Sequence, residues 1–375
     1  MSDIRKVKRN ILLNPGPATT TDTVKYAQIV PDICPREKEF GEIMRFVSSE
    51  LTSLVADSEH YTTVLFGGSG TAAVESILSS VMTDGVIVII NNGAYGKRMC
   101  EIAEAYGLDW VEYISPVDQP IQLDQLQLFI QKQPRPVSYL AVVHNETTTG
   151  LLNDIEKIGS ICKENNLTMM VDAMSSFAAI PIQMSKMNIS YLAASSNKNL
   201  QGMAGVSFVV AKKEELEKER TTKPMNYYLN LYAQYKHFKE TGQTRFTPPV
   251  QTLYALQQAI IEVKEEGIKE RYERYSQCWD TLIAGIKKLG LHHLVPAEHH
   301  SKIITAIVEP ACEAYNFDSM HDYLYKNGIT IYPGKLANLN SFRVANIGDL
   351  TKADIELFLT FLEKYLQRIG FHSAD

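Results

Sequence analysis

Lys198 stands where a strand-like apolar run, Leu192-Ala193-Ala194, gives way to Ser195-Ser196-Asn197, and Gln201-Gly202 and a second apolar run from Val206 follow it. A lysine so placed can condense with an aldehyde as a Schiff base, provided burial or a neighbouring cation lowers its pKa. A solvated lysine between two strands has the same local sequence, and this stretch alone leaves both readings open. Gly67-Gly68-Ser69-Gly70-Thr71 follows a short apolar strand and opens a helix. Free N–H groups at a helix start, close backbone approach at glycine and the hydroxyls of Ser69 and Thr71 make a phosphate cradle. Gly68, Gly70 and Ala73 also fit a dinucleotide fingerprint, which expects an acidic residue at the end of the next strand. Asn91-Asn92 stands there instead.

Asp172 ends the apolar run from Thr168 to Val171. A buried carboxylate at that place must be paired or hydrogen-bonded. It can cap a helix, or it can keep a pyridine nitrogen protonated so that the ring accepts electrons. Tyr95, in Asn91-Asn92-Gly93-Ala94-Tyr95-Gly96, brings a ring to the end of another strand, either to stack on a planar heteroaromatic group or to pack as a half-buried cap. Taken jointly, Lys198 for an aldehyde, Asp172 for a ring nitrogen, Gly70 and Thr71 for a phosphate and Tyr95 for a ring face describe pyridoxal phosphate. In the polar segment His144 to Gly150, Glu146 and Thr147 stand out as further candidates.

These residues need a sheet to hold them. From Val64 to Val210, continuous apolar strands alternate with amphipathic helices, which predicts a largely parallel sheet covered on both faces, with ligands beyond the strands' carboxyl ends. The uninterrupted run Val86 to Ile90 is its clearest strand. After Ala211 the composition shifts, a long helix is predicted from Val250 to Leu289, and the remainder reads as α+β. The expected division is a large domain over 1–260, with an N-terminal arm, and a small C-terminal domain over 261–375.

The formal net charge of −6 and the lack of a Lys/Arg-dense block argue against nucleic acid and acidic membranes as partners. No apolar stretch approaches the roughly 20 residues of a membrane span, and Ile11-Leu12-Leu13 is too short for a signal segment, so a soluble cytoplasmic protein is expected. Five cysteines without a CxxC pair suit reduced thiols, with no metal site.

The ordered set Asn14-Pro15-Gly16-Pro17, Gly68-Ser69-Gly70-Thr71, Gly93-Ala94-Tyr95-Gly96-Lys97-Arg98, Val171-Asp172, Ser196-Asn197-Lys198, Thr247-Pro248-Pro249 and Phe342-Arg343-Val344 resembles the class V aminotransferases of fold type I. Within that family the lysine segment is similar to that of members acting on aminophosphonates. The resemblance implies an α/β pyridoxal-phosphate-dependent transferase whose substrates are a small amine and a 2-oxo acid. It implies that Lys198 is catalytic and that Ser69, Gly70, Thr71, Tyr95, Thr147, Asp172 and Ser195 surround the cofactor. It further implies a homodimer with shared active sites, in which Thr247 reaches the phosphate of the neighbouring subunit's cofactor, and Arg343 as the ligand of a substrate acid group. Cys34-Pro35-Arg36-Glu37 occupies the loop where related alanine–glyoxylate enzymes tend to carry a His-Arg pair, and this departure makes Arg36 a second acid-group candidate. Two rivals stand beside this reading: the same cofactor with serine or alanine and glyoxylate, and a nicotinamide-dependent oxidoreductase built on the glycine pattern. A desulfurase of the fold would need a histidine where Asn197 stands.

Overall fold

Val86 to Ile90 shows no polar alternation because both faces of its strand are covered. Val88 and Ile90 point into one core, Ile87 and Ile89 into the other, and all four are fully buried. The computed structural model describes residues 7–82, 85–223, 225–334 and 339–371. Its strands in chain order are β1 (Ile11–Leu12), β2 (Tyr61–Gly67), β3 (Val86–Asn91), β4 (Trp110–Ile114), β5 (Val137–Val143), β6 (Asn145–Glu146), β7 (Leu151–Leu152), β8 (Thr168–Asp172), β9 (Ile189–Ser195), β10 (Val206–Lys212), β11 (Ile304–Val308), β12 (Ile329–Thr330), β13 (Tyr332–Pro333) and β14 (Ser341–Ala345). The central sheet has seven strands in the order β2-β10-β9-β8-β5-β3-β4. All adjacent pairs are parallel except those made by β10, which runs antiparallel to β2 and β9.

Helices Lys38–Ser53, Ile155–Glu164 and Val250–Glu266 cover one face. Phe40, Met44, Val47 and Leu51 of the first are buried at the i, i+3, i+4 spacing that makes one apolar stripe. Helices Gly70–Val81, Ala94–Ala105 and Leu231–Thr241 cover the other face. Among the described residues no helix is long and apolar enough to cross a membrane.

The C-terminal unit is an antiparallel sheet, β11-β14-β13, packed with helices Ile268–Lys288, Phe317–Lys326 and Lys352–Arg368. The N-terminal strand joins this unit: β1 pairs in parallel with β12, and Ile11 and Leu13 are part of the C-terminal hydrophobic core. The chain between Leu13 and Thr19 therefore forms a strap running from that core to the central sheet.

The single helix expected from Val250 to Leu289 is two, because Gly267 leaves helical geometry at φ +87 and ψ 141. Glu266 beside the break accepts from Arg271 Nε at 2.6 Å and Arg274 Nε at 2.7 Å, so the corner is fixed by charge as well as by glycine. An added Cβ at Gly267 would lie 2.1 Å from Glu270 Oε2 and would face the same disallowed φ. Gly267→Ala is expected to cost about 1–3 kcal/mol, read as a lower urea midpoint at unchanged slope. An unchanged midpoint would contradict this account of the corner.

Candidate active site

The parallel strands place their last residues along one edge: β2 at Gly67, β5 at Val143, β8 at Asp172 and β9 at Ser195. Register brings Asp172 opposite Val143 on one side and Ala193 on the other. Asp172 is buried, and its Oδ1 accepts the Met174 N–H at 2.9 Å, so one oxygen does the capping work and the carboxylate still lines a cavity. Burial pushes this carboxyl up to about 6, with the charge of Glu146 adding to the rise and Lys198 and Arg98 opposing it. That cavity is bounded by Gly70, Thr71, Tyr95, Arg98, Asp172 and Met174.

Tyr95 is aimed by Glu146. The Glu146 carboxylate is fully buried and accepts the backbone N–H groups of Tyr95 (3.1 Å), Gly96 (3.4 Å) and Thr148 (3.0 Å) and the Thr148 hydroxyl (2.5 Å). A carboxylate at the start of helix Ala94–Ala105 is favoured by that helix's unpaired N–H groups, while burial raises its pKa. Gly93 is required because a Cβ there would lie 2.3 Å from Glu146 Cδ. The Arg98 guanidinium sits 4.8 Å from the Tyr95 ring centroid, and its Nη1 is 3.5 Å from Thr71 Oγ1. Arg98 had no role assigned from sequence; its i, i+3 spacing from Tyr95 on one helix face was the available signal.

Lys198 follows β9 in a tight turn, and its Nζ donates to Pro15 O at 2.5 Å. Gly16, at φ +132, lets the strap close on it, since a Cβ there would come within 2.5 Å of Lys198 Cδ. His144 is neutral at ordinary pH, its pKa lowered to about 4 by burial, with Nδ1 2.9 Å from Ser176 Oγ.

Two features of the donor set fit pyridoxal phosphate. Ser69 is the N-cap of helix Gly70–Val81, yet its hydroxyl makes no capping bond, and Ser195 Oγ is buried with no hydrogen-bond partner among the described residues. Both hydroxyls keep hydrogen-bonding capacity that a phosphate or a ring substituent could use.

Arg343, at 1% exposure, lies in β14; its Nε donates to Pro333 O (3.0 Å), its Nη1 to Thr147 O (3.3 Å), and it also reaches the Tyr95 hydroxyl. Thr147 is thus brought to the cleft through its carbonyl. Thr247 is exposed and lines a shallow pocket with Gly67, Tyr228 and Thr244. The fold does not bring Arg36 to the Lys198 cluster within this chain. Its guanidinium donates to Thr244 O (2.7 Å), Gln243 Oε1 (3.3 Å) and Arg245 O (3.3 Å), beside the Thr247 segment.

An edge shaped for an aldehyde with a ring nitrogen and a phosphate places the chain among the pyridoxal-phosphate-dependent aminotransferases of fold type I. Residues 24–360 match the family Aminotransferase class-V, and the chain belongs to that family. It is 38% identical over 361 residues to the 2-aminoethylphosphonate–pyruvate transaminase of Vibrio vulnificus, covering 94% of this chain and 97% of that protein. It is likewise 38% identical over 363 residues to a bifunctional phosphonoacetaldehyde hydrolase/aminoethylphosphonate transaminase of Clostridioides difficile; the match covers 96% of this chain but only 56% of that protein's length. In structure it resembles an alanine–glyoxylate aminotransferase from Nostoc sp., with a TM-score of 0.89 at 24% identity, covering 96% of both chains.

Proposed function

We propose that this chain moves the amino group of 2-aminoethylphosphonate to pyruvate, giving phosphonoacetaldehyde and alanine. The carrying observation is the likeness to the Vibrio vulnificus transaminase along 94% of this chain; a cavity lined by Asp172 and Tyr95 supports it, with Lys198 near enough to lower the Asp172 carboxyl and Arg343 reaching the Tyr95 hydroxyl. Bound pyridoxal phosphate supplies an aldehyde that takes up the donor amine and a ring that stores the electron pair released at the donor carbon. Asp172 accepts the ring N–H and holds its charge. Ser69, Gly70 and Thr71 hold the phosphate at the helix start, Ser195 supplies a further hydroxyl, and Tyr95 covers the ring. With the cofactor bound, Lys198 would hold its aldehyde, and the lysine amine, once free, would carry the proton from the donor carbon to the cofactor's C4′. Arg343 takes the acid group of each substrate with a planar, two-point guanidinium contact.

The working unit in this reading is a homodimer. Thr247 serves the neighbouring subunit's phosphate, and Arg36 braces the 243–245 backbone that presents it.

Lys198→Ala is expected to lose the visible absorption band of the lysine-bound cofactor and all turnover. Steady-state rates with 2-aminoethylphosphonate and pyruvate are expected to give parallel double-reciprocal lines. Intersecting lines, or turnover with serine and glyoxylate but none with the phosphonate, would sink the substrate assignment.

A further inference from the structure

The Lys198 turn contains a residue that the backbone alone would not choose. Gln201 closes the turn by donating its N–H to Lys198 O at 2.9 Å, and it does so at φ +60. A non-glycine residue in the left-handed region costs about 1–2 kcal/mol that glycine would not. Its side chain is also buried, at 3% exposure, so its amide needs a partner. Nε2 donates to the Tyr275 hydroxyl oxygen at 2.8 Å, and Tyr275 is itself completely buried. The same phenolic oxygen accepts the Gly348 N–H at 2.9 Å.

From Gly348 the contacts lead back to the lysine. A Cβ on Gly348 would lie 2.8 Å from the Thr19 N and O atoms, and Asp349 N–H donates to Thr19 O at 2.8 Å. Ala18, next along the strap, donates its N–H to Asn197 O at 3.0 Å, and Pro15 O accepts Lys198 Nζ. One turn before Tyr275 on the same helix, the buried Arg271 donates Nη1 to Asn199 O at 2.5 Å. Helix Ile268–Lys288 thus holds the lysine turn at Asn199 and Gln201 with residues spaced i, i+4, and holds the Gly348 turn with the same tyrosine oxygen.

We propose that Tyr275 and Gln201 are positioning residues for Lys198. The Gln201–Tyr275–Gly348 relay closes a ring of contacts through the strap and fixes where Nζ sits relative to the cofactor. Glycine at 201 would satisfy the turn without strain and without a buried amide. The glutamine is therefore explained by the tether it makes, and the strain is held in place by the surrounding packing. The inference rests on Lys198 carrying pyridoxal phosphate.

The test uses the cofactor-loaded enzyme with Gln201→Gly and Tyr275→Phe. Gln201→Gly relieves the backbone strain while removing the tether, so it folds even if Tyr275→Phe does not. Both variants are expected to lower kcat by roughly 10- to 100-fold, as a small misplacement of a reacting group does, with KM within about twofold. Both are also expected to shift the pH midpoint of the visible band of the lysine-bound cofactor, and the double variant to lose little more than either single one. A wild-type band midpoint and kcat in Gln201→Gly would overturn the inference, whatever happens to its melting temperature. A wild-type protein with no visible band at all would overturn the cofactor reading itself, and the inference with it.

Discussion

Replacing Asp172 with asparagine is expected to cripple transamination and at the same time stabilise the cofactor-free protein above pH 6. The folded-state carboxyl is raised from 3.8 to about 6, chiefly by burial. Between those values the unfolded chain has lost the proton and the folded chain has kept it, so stability falls as pH rises, and the full penalty is present above about pH 6. At about 1.4 kcal/mol per pH unit the penalty is on the order of 3 kcal/mol. Asparagine keeps an oxygen for the Met174 N–H and carries no charge to desolvate. Urea unfolding of the two cofactor-free proteins should show the variant ahead at pH 8 and the difference gone by about pH 4. Equal stability at pH 8 would refute the account.

Activity moves the other way because a neutral amide does not hold a pyridine ring protonated. A loss of roughly a thousandfold or more in kcat, about 4 kcal/mol of transition-state stabilisation, is expected. The same carboxylate gives cofactor affinity a pH dependence. A ring N–H⁺ and the Asp172 carboxylate favour each other's charged forms, so cofactor affinity is expected to weaken as pH falls through about 6. The variant should lack that step.

The placement of the Gly67–Thr71 segment, Asp172, Tyr95 and Lys198 along one sheet edge was legible in the sequence because each stands at or just past the end of an apolar strand, where α/β sheets collect ligands. Register was not legible. Only the pairing of β3 with β5 and the β6–β7 turn puts Glu146 under the Tyr95 amide. The break at Gly267 was hidden because the charged residues on both sides continue a helical pattern across it. The strap's attachment to the C-terminal unit depends on a two-residue strand, β1, too short to show any period. Arg36 and Arg343 looked alike as loop or strand arginines. Their fates differ because one meets the backbone carbonyls of Thr244 and Arg245 at the surface and the other is enclosed beside Tyr95.

Arg343→Gln is the second large effect, and it separates recognition from folding in the same way. The guanidinium is enclosed, and burial lowers its pKa. Among the described residues its hydrogen bonds go to two carbonyls and a phenol, and the Glu146 carboxylate favours its charge from a distance without bonding to it. Desolvating a cation against neutral acceptors is unfavourable, and an acid group from the substrate supplies the direct counter-charge that those acceptors lack. Losing a buried charge pair costs about 3–5 kcal/mol, so kcat/KM for both the amine and the oxo acid is expected to fall by roughly two to four powers of ten. Glutamine still donates to Pro333 O or Thr147 O, so the substrate-free variant should melt no lower than the parent. Pyruvate or phosphonoacetate should raise the melting temperature of the parent, because a ligand that binds only the folded state stabilises it, and should leave the variant unmoved. A variant that keeps the ligand-induced shift would show that the acid group docks elsewhere. One that loses both the shift and its own stability would show that Arg343 is needed by the fold itself.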